Sequence, residues 1–216
     1  MTLPRFYPIL DTATLARRNF PPLAAAEAIL ESGARILQFR QKDFWTAETY
    51  ALAQRIATLC CESNAIFIVN DRADYAHALH SGLHIGQDDL SPADARTVIG
   101  PDAILGFSTH NPEQMRAALD EPVDYLAFGP IFPTASKQNP DPQVGLEGLK
   151  AIRALTPKPL VAIGGITRDN ASFCWGAGAD SVAVIADLFP QPVNRRMTRR
   201  TLRERMAEWI RLSAHV

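Results

Sequence analysis

The sequence predicts an α/β fold and, within that class, a single-domain (β/α)8 TIM barrel over residues 1–216. Eight short apolar segments alternate along the chain with longer segments whose apolar residues recur at helical spacing. Strands that alternate with helices form a parallel sheet through right-handed crossovers. Eight such units in 216 residues fit a closed barrel. An open doubly wound sheet is disfavoured, because no glycine-rich dinucleotide-binding motif follows the first apolar segment.

Each apolar segment has the composition of a buried parallel strand. Such strands are covered on both faces and therefore read as nearly continuous apolar runs. The predicted strands cover residues 6–10, 34–40, 65–69, 82–85, 104–108, 124–128, 159–163 and 180–184.

Capping residues and apolar spacing indicate the helices between these strands. A Thr, Ser or Asn can accept a hydrogen bond from an amide of the first turn, and proline is tolerated best at the first helical position. Helices are predicted over residues 23–31, 46–61 and 194–213, with starts at Ser91-Pro92 and Asn111-Pro112 and a short helix at Asp187 and Leu188.

The connection over residues 129–144 is the one long irregular segment. Its sequence, GPIFPTASKQNPDPQV, contains four prolines and directly follows a predicted strand. A connection of this length in a compact domain is usually functional or disordered, and the loops after barrel strands form the active-site rim. We therefore expect this loop to border the site, as a candidate lid.

Composition limits the classes of partner. Lys plus Arg number 22 and Asp plus Glu 23, so the net charge is -1 and no global positive field would attract nucleic acid. No apolar run has the length of a signal peptide core or a membrane span. The three cysteines lack the spacing of a disulfide framework. We expect a cytoplasmic protein without nucleic-acid or membrane partners; a homo-oligomer is compatible with the sequence.

Charged side chains follow the second predicted strand, in the segment QFRQK over residues 38–42. Strand alternation puts Gln38, Arg40 and Lys42 on one side. A guanidinium and an ammonium that converge on a barrel mouth suit an anionic ligand, since both bind phosphate well. A solvated charged loop is the alternative, and these residues alone do not decide between the two.

Carboxylates follow the next two strands. Asn70 and Asp71 end the third strand, and Asp88 and Asp89 follow the fourth. Neighbouring strands would bring these groups together, and clustered carboxylates repel each other unless a proton or a cation joins them. Hard oxygen ligands favour Mg²⁺, which completes its shell with water and substrate phosphates. Helix capping by Asp71 and Asp89 is the alternative.

Fewer signals indicate acid–base or nucleophilic chemistry. Ser108 ends the fifth strand, but no adjacent acid–base pair marks it as a nucleophile, so we expect it to form hydrogen bonds. His84 and His110 could act as acids or bases, although single histidines near strands are more often structural.

Three further segments suit oxyanion binding. The long loop carries Thr134, Ser136 and Lys137 within one turn. Paired glycines end the seventh strand, and at Gly165 the backbone amide could approach a phosphate closely. A phosphate held by the loops after strands seven and eight recurs in TIM barrels, so residues 185–186 are expected to contribute.

Seven segments of the chain together resemble the thiamine-phosphate synthase family. They occur in the family's order and span residues 38–188, and such an ordered set is far more specific than any single motif. The segments are QFRQK (38–42), ND (70–71), HIGQDD (84–89), GFS (106–108), GPIFPTASK (129–137), AIGGI (162–166) and GADSVAVIADL (178–188).

The resemblance implies a transferase that joins a hydroxymethylpyrimidine diphosphate to a thiazole phosphate and releases pyrophosphate. It also implies the role of each matching residue. Asp71 and Asp89 match the family's Mg²⁺ ligands. Substrate binding is implied for Gln38, Phe39, Arg40, Gln41, Lys42, Asn70, Ser108, Thr134, Ser136, Lys137, Gly165, Ile185 and Ala186, and among these a catalytic role for Arg40, Lys42, Lys137 and Ser108.

The chain departs from the family pattern at a few positions. Ala186 stands where a Ser is common, and Val144 stands where a Gln often precedes the Gly that aligns with Gly145. Ser136 stands where a second Thr is more usual. Since the phosphate cradle uses mainly backbone amides, Ala186 would remove at most one side-chain hydrogen bond.

Three rival functions share some of these features. A thiazole tautomerase of the same superfamily would not need the whole set of QFRQK, ND and DD residues. A non-catalytic barrel that binds thiamine precursors would not need Lys42, Asp71, Asp89 and Lys137 intact. An unrelated phosphate-binding barrel, such as one from tryptophan biosynthesis, would explain AIGGI but not the acidic pair.

Overall fold

The computed structural model describes residues 2–134, 142–189 and 198–214. Its eight strands close into one parallel barrel in sequence order, with β8 paired to β1. This confirms the predicted fold class. The strands are β1 (Phe6–Asp11), β2 (Ile36–Arg40), β3 (Ile66–Asn70), β4 (Gly82–Ile85), β5 (Leu105–Thr109), β6 (Tyr125–Phe128), β7 (Leu160–Ile163) and β8 (Ser181–Val184).

Helices follow the strands and cover the outside of the barrel. In the described part of the chain they are α1 (Thr12–Arg17), α2 (Pro22–Glu31), α3 (Ala47–Glu62), α4 (Ala73–Ala78), α5 (Pro92–Ile99), α6 (Pro112–Ala118), α7 (Gly145–Arg153), α8 (Ala171–Gly176) and α9 (Arg199–Ala214). None of these helices combines the length and the apolarity needed to cross a membrane.

The predicted helix caps are confirmed. The hydroxyls of Thr46 and Ser91 and the side-chain carbonyl of Asn111 accept the amides of residues three positions later, at 3.2, 3.1 and 2.8 Å. Each of these bonds satisfies an amide that the first turn leaves without an intrahelical acceptor.

Other boundaries differ from prediction. The short helices α1, α4, α7 and α8 were not predicted, because six to nine residues give too little sequence for a helical period. The last helix begins at Arg199, and residues 194–197 of its predicted span lie outside the described part. Asp187 and Leu188 form a turn rather than a helix, closed by the Leu188 amide bonding the Ile185 carbonyl at 3.2 Å.

Strand alternation divides the core into two layers. Tyr7, Ile36, Tyr125 and Val161 belong to a small cluster inside the barrel. Leu37 and most other buried apolar residues belong to a larger cluster between the strands and the helices. Because side chains two positions apart share a face, the inward residues near the strand ends lead directly to the barrel mouth.

Candidate active site

The end of β2 delivers Gln38 and Arg40 to the interior side of the barrel. Arg40 lies beside Asp11 in the β1–β2 register, and its guanidinium donates to the Asp11 carboxylate. The second oxygen of Asp11 caps α1 by accepting the Thr14 amide at 2.8 Å. Asp11 is buried and the Arg40 side chain is 15% exposed, so this ion pair fixes the guanidinium at the edge of the mouth.

Two other residues of the QFRQK segment do not point into the mouth. Phe39 is fully buried between barrel and helices, where its ring meets Trp45 edge-on at 5.5 Å. The Phe39 side chain therefore faces away from the mouth, which leaves only its backbone for the substrate contact that the resemblance implies. The side-chain carbonyl of Gln41 accepts from the Thr12 hydroxyl at 2.5 Å, which ties the β2 loop to α1 at the rim.

The predicted acidic pair meets at the ends of β3 and β4. Burial raises the pKa of the Asp89 carboxyl above its ordinary value; the Gly86 amide, which donates to it at 2.7 Å, lowers that pKa, and the neighbouring Asp71 carboxylate raises it further. The Lys42 ammonium donates to Asp71 at 2.5 Å. Three strand ends therefore bring two carboxylates and one cation together.

Asp71 holds a backbone conformation that favours glycine or asparagine. Its φ is +66°, in the left-handed region, which Gly adopts freely and which Asn and Asp adopt more often than most other residues. Its amide donates to the His84 carbonyl at 2.8 Å and so continues the β3–β4 pairing beyond the strand. This bond fixes the backbone that carries the Asp71 carboxylate just beyond the end of β3.

Asn70 offers a donor without a partner in the described part of the chain. Its side chain is inward-facing and the residue is 5% exposed, yet its amide nitrogen has no hydrogen-bond acceptor. A buried amide without a partner loses its hydration without compensation. An acceptor on a ligand in the mouth would remove that cost.

A chain of polar side chains fills the barrel below the mouth. The hydroxyls of Tyr7 and Tyr125 lie 2.8 Å apart, and the Gln38 amide donates to Tyr7 at 3.0 Å. Nδ1 of His84 lies 2.9 Å from the Tyr125 hydroxyl, and its Nε2 lies 2.8 Å from the Ser108 hydroxyl. Sequence reasoning assigned Gln38 and Ser108 to the site but missed the two tyrosines.

The hydrogen bonds of this chain connect the core to the rim. Gln38 donates to the Tyr7 hydroxyl, and since a hydroxyl donates one bond and accepts two, the Tyr7–Tyr125 bond can run in either direction. The two ring nitrogens of His84 join Tyr125 to Ser108. Burial raises the pKa of both tyrosines, so they stay neutral donors. His84 is thus a structural link between core and rim.

Two glycines shape the loop after β7. Gly164 and Gly165 both have positive φ, of +96° and +66°. A Cβ on Gly165 would lie 2.5 Å from the Pro133 carbonyl and 2.7 Å from the Phe132 Cβ. The missing side chain therefore allows the long loop after β6 to pack against this backbone, in addition to any contact with a ligand.

Three backbone amides at this edge could donate hydrogen bonds to an anion. Within residues 2–134, 142–189 and 198–214, the amides of Gly165, Ile185 and Ala186 donate to no protein acceptor. Ala186 is exposed and Ile185 half-buried, at the start of the turn after β8. Amides of this kind at adjacent loops suit a phosphate.

The remaining predicted residues lie in the long loop or beside it. Thr134 is half-buried and is the last residue described before the gap. Ser136 and Lys137 lie outside the described residues. Nδ1 of His110 lies 2.8 Å from the Gly129 carbonyl, which indicates that His110 supports the start of the loop.

Comparisons of the sequence and of the structure with known proteins all point to the same family. The family described as "Thiamine monophosphate synthase" matches residues 6–188. The thiamine-phosphate synthase of Koribacter versatilis is 48% identical over 200 residues, covering 90% of this chain and 93% of the relative. That of Moorella thermoacetica is 44% identical over 167 residues, covering 77% and 80%. The solved structure of a thiamine phosphate pyrophosphorylase from Pyrococcus furiosus superposes with a TM-score of 0.83 at 32% identity, covering 98% of this chain and 96% of that one.

Proposed function

The chain belongs to the thiamine-phosphate synthase family, and from that premise we propose how its barrel mouth carries out the reaction. The activity is a transfer between small molecules: 4-amino-2-methyl-5-hydroxymethylpyrimidine diphosphate condenses with 4-methyl-5-(2-phosphoethyl)thiazole to give thiamine phosphate and pyrophosphate. No observation favours the tautomerase or the non-catalytic binder. The meeting of Lys42, Asp71 and Asp89 at three consecutive strand ends carries the proposed mechanism.

The acidic pair fits a magnesium ion. Asp71 and Asp89 supply hard oxygen ligands, and burial together with mutual repulsion disfavours the charged form of Asp89 unless a cation joins them. Within the described residues, no group of three or more His, Cys, Asp or Glu could hold a metal. Two carboxylates suit Mg²⁺, which keeps waters and binds substrate phosphates. When bound, Mg²⁺ would supply positive charge to the diphosphate.

Side chains around this pair would bind the diphosphate. The Arg40 guanidinium is held by Asp11, and Lys42 reaches the mouth beside Asp71. Lys137, outside the described residues, is assigned to the same group by the family resemblance. Their charges would stabilise the charge that builds on departing pyrophosphate.

The polar chain inside the barrel would orient the pyrimidine. Gln38, Asn70 and Ser108 all face the mouth from below, and the Asn70 amide presents a donor there. Once pyrophosphate leaves, the aminopyrimidine can stabilise positive charge at its exocyclic methylene. The thiazole nitrogen then attacks that carbon, so no protein nucleophile is required and the residues act by positioning and charge stabilisation.

The loops after β6, β7 and β8 would bind the thiazole phosphate. The amides of Gly165, Ile185 and Ala186 face no protein acceptor in the described part, and Thr134 lies on the neighbouring loop. Ser136 is assigned here by the resemblance alone. Anion binding by backbone amides needs fixed loops more than particular side chains.

One experiment tests the proposed chemistry as a whole. The purified protein is mixed with both substrates, with Mg²⁺ or with a chelator, and the products are separated. We expect thiamine phosphate and pyrophosphate in equal amounts, with formation abolished by the chelator and restored by Mg²⁺. Equal rates in the two conditions would contradict the magnesium assignment, and a product formed from the thiazole alone would indicate an isomerase.

Gly165→Val tests the thiazole phosphate site. The valine Cβ would collide with the long loop at a positive φ, so we expect the KM for the thiazole phosphate to rise by more than about tenfold, the effect of losing one to two kcal/mol of binding. The KM for the pyrimidine diphosphate should change by less than about threefold. Steady-state kinetics with each substrate varied in turn measures both.

Gly176→Val is the matched control for that substitution. Gly176 ends α8, and a Cβ there would meet no atom within 4 Å. A circular dichroism melt of each variant separates a local effect from unfolding. Equal increases in both KM values for a folded Gly165→Val protein would show that the phosphate site lies elsewhere.

A further inference from the structure

The turn after β8 carries a carboxylate whose partners lie on the loop after β7 and on α9. Oδ1 of Asp187 accepts from Arg205 at 3.1 Å, and Oδ2 accepts from Arg168 at 3.1 Å and from the Trp209 indole at 3.0 Å. The Asp187 carbonyl accepts a further bond from Arg205. The carboxylate, 11% exposed, is therefore paired on both oxygens.

These donors come from two different parts of the chain. Arg168 lies in the loop after β7, three residues beyond Gly165, and also pairs with Glu208 of α9. Arg205 and Trp209 lie on α9, and the Trp209 ring is fully buried and stacked on Phe6 of β1 at 5.0 Å. Asp187 thus joins the β7 loop, the β8 turn and a helix anchored to the barrel wall.

The joined loops are the two that carry the amides assigned to the thiazole phosphate. Ala186, beside Asp187, contributes no hydroxyl, so the anion would depend on the positions of the backbone amides at Gly165, Ile185 and Ala186. Displacing such groups by about 1 Å costs much of their effect on a bound ligand. Whatever fixes these two loops relative to each other controls that affinity.

We propose that Asp187 is a positioning residue for the phosphate of the thiazole substrate, acting by clamping the β7 loop and the β8 turn to α9. This inference rests on the proposed function, because it takes the thiazole phosphate as the anion of this cradle. Asp187 itself touches no substrate; it sets the place of the amides that do.

The chain offers a well-matched pair of variants. In Asp187→Asn the new amide group must replace one of two accepting oxygens, and its N–H would face an arginine or the indole. At the other end of β8, the bonds of Asp180 to described residues all use Oδ2, which accepts from Arg153 at 2.7 Å and from the Leu160 amide at 2.8 Å. Asp180→Asn can keep both bonds through its carbonyl and serves as the control.

The decisive measurement compares the thiazole phosphate with the thiazole alcohol that lacks the phosphate. Kd by calorimetry and kcat/KM are measured for both ligands, with the pyrimidine diphosphate saturating in the kinetic arm. In Asp187→Asn we expect Kd and KM for the thiazole phosphate to rise about tenfold, as for loss of other supporting hydrogen bonds. The values for the alcohol and the KM for the pyrimidine diphosphate should stay within about twofold.

The phosphate-over-alcohol preference separates positioning from general destabilisation. A loss of fold would lower kcat/KM for the thiazole phosphate and for the thiazole alcohol by the same factor, so the ratio of the two kcat/KM values would stay unchanged. The inference is overturned if this phosphate-to-alcohol ratio is unchanged in Asp187→Asn, or if it falls equally in Asp180→Asn. It is also overturned if the wild-type protein binds the thiazole phosphate and the thiazole alcohol with equal affinity. A wild-type protein that binds the thiazole phosphate but forms no thiamine phosphate refutes the proposed function, while the calorimetry still decides the role of Asp187.

Discussion

Asp89→Ala and Asp71→Asn are each expected to lower the rate of thiamine phosphate formation by at least about a hundredfold, the scale of losing several kcal/mol of charge stabilisation. Each substitution removes one of the two carboxylates that meet at the ends of β3 and β4. The loss should be accompanied by a weaker dependence on Mg²⁺, because fewer ligands hold the ion. Initial rates over a range of Mg²⁺ concentrations measure both effects.

The form of the variant matters at Asp71. Its φ of +66° is tolerated by asparagine, whereas alanine would add backbone strain of about 1 kcal/mol. Asp71→Ala is expected to show the same loss of rate together with a lower melting temperature. Asp88→Ala is the control, since Asp88 is exposed and adjacent to Asp89. Near-normal turnover of Asp89→Ala at low Mg²⁺ would rule out the ligand assignment.

Lys42→Met is expected to reduce kcat by about a hundredfold while changing the KM for the pyrimidine diphosphate by less than about threefold. An interaction that strengthens as charge builds on the leaving group affects turnover more than ground-state binding. The Lys42 side chain is 52% exposed, so its loss should leave the fold intact. Lys137→Ala, predicted from the resemblance, should likewise keep measurable binding and lose most of its turnover.

Lys150→Met provides the comparison for Lys42. Lys150 lies on α7, is 55% exposed and pairs with Glu147, so it matches Lys42 in exposure and in having an acidic partner. We expect its kcat to stay within about twofold of the wild-type value, as for a surface ion pair. If Lys42→Met loses affinity for the pyrimidine diphosphate by the same factor as it loses kcat/KM, Lys42 acts in ground-state binding instead.

The positions of strands and of the acidic pair could be predicted from the sequence because both depend on local patterns. Buried parallel strands leave apolar runs, and the ends of adjacent strands must meet at one rim. The strand ends predict Asp71 beside Asp88 or Asp89, and the family resemblance selects Asp89. The same alternation rule put Gln38 and Arg40 on the interior side, and the structure agrees.

Other parts of the site depend on contacts that no local pattern reveals. Tyr7 and Tyr125 are 118 positions apart and read as ordinary strand residues, yet they join Gln38 to His84 inside the barrel. Phe39 was assigned to substrate with its motif, although alternation turns it toward Trp45.

Long-range pairing also explains the segment after β8. The sequence predicts a short helix at Asp187 and Leu188. In the structure its carboxylate bonds to residues 18 and 22 positions further along the chain, Arg205 and Trp209, which hold it in a turn. Hydrogen bonds to the buried Trp209 indole and the partly buried Arg205 guanidinium favour the turn over the helix that the local sequence suggests.

The central claim, that pyrophosphate leaves before the thiazole nitrogen attacks, is tested most directly by a pyrimidine diphosphate carrying an electron-withdrawing substituent on its ring. Single-turnover kinetics with saturating thiazole phosphate and Mg²⁺ isolates the chemical step. Such a substituent destabilises a methylene cation. We therefore predict that this step slows by at least about a hundredfold, which corresponds to an increase of roughly 3 kcal/mol in its activation free energy. A rate within about twofold of that for the natural substrate, with chemistry established as the slow step, would contradict the dissociative mechanism even if thiamine phosphate is the product.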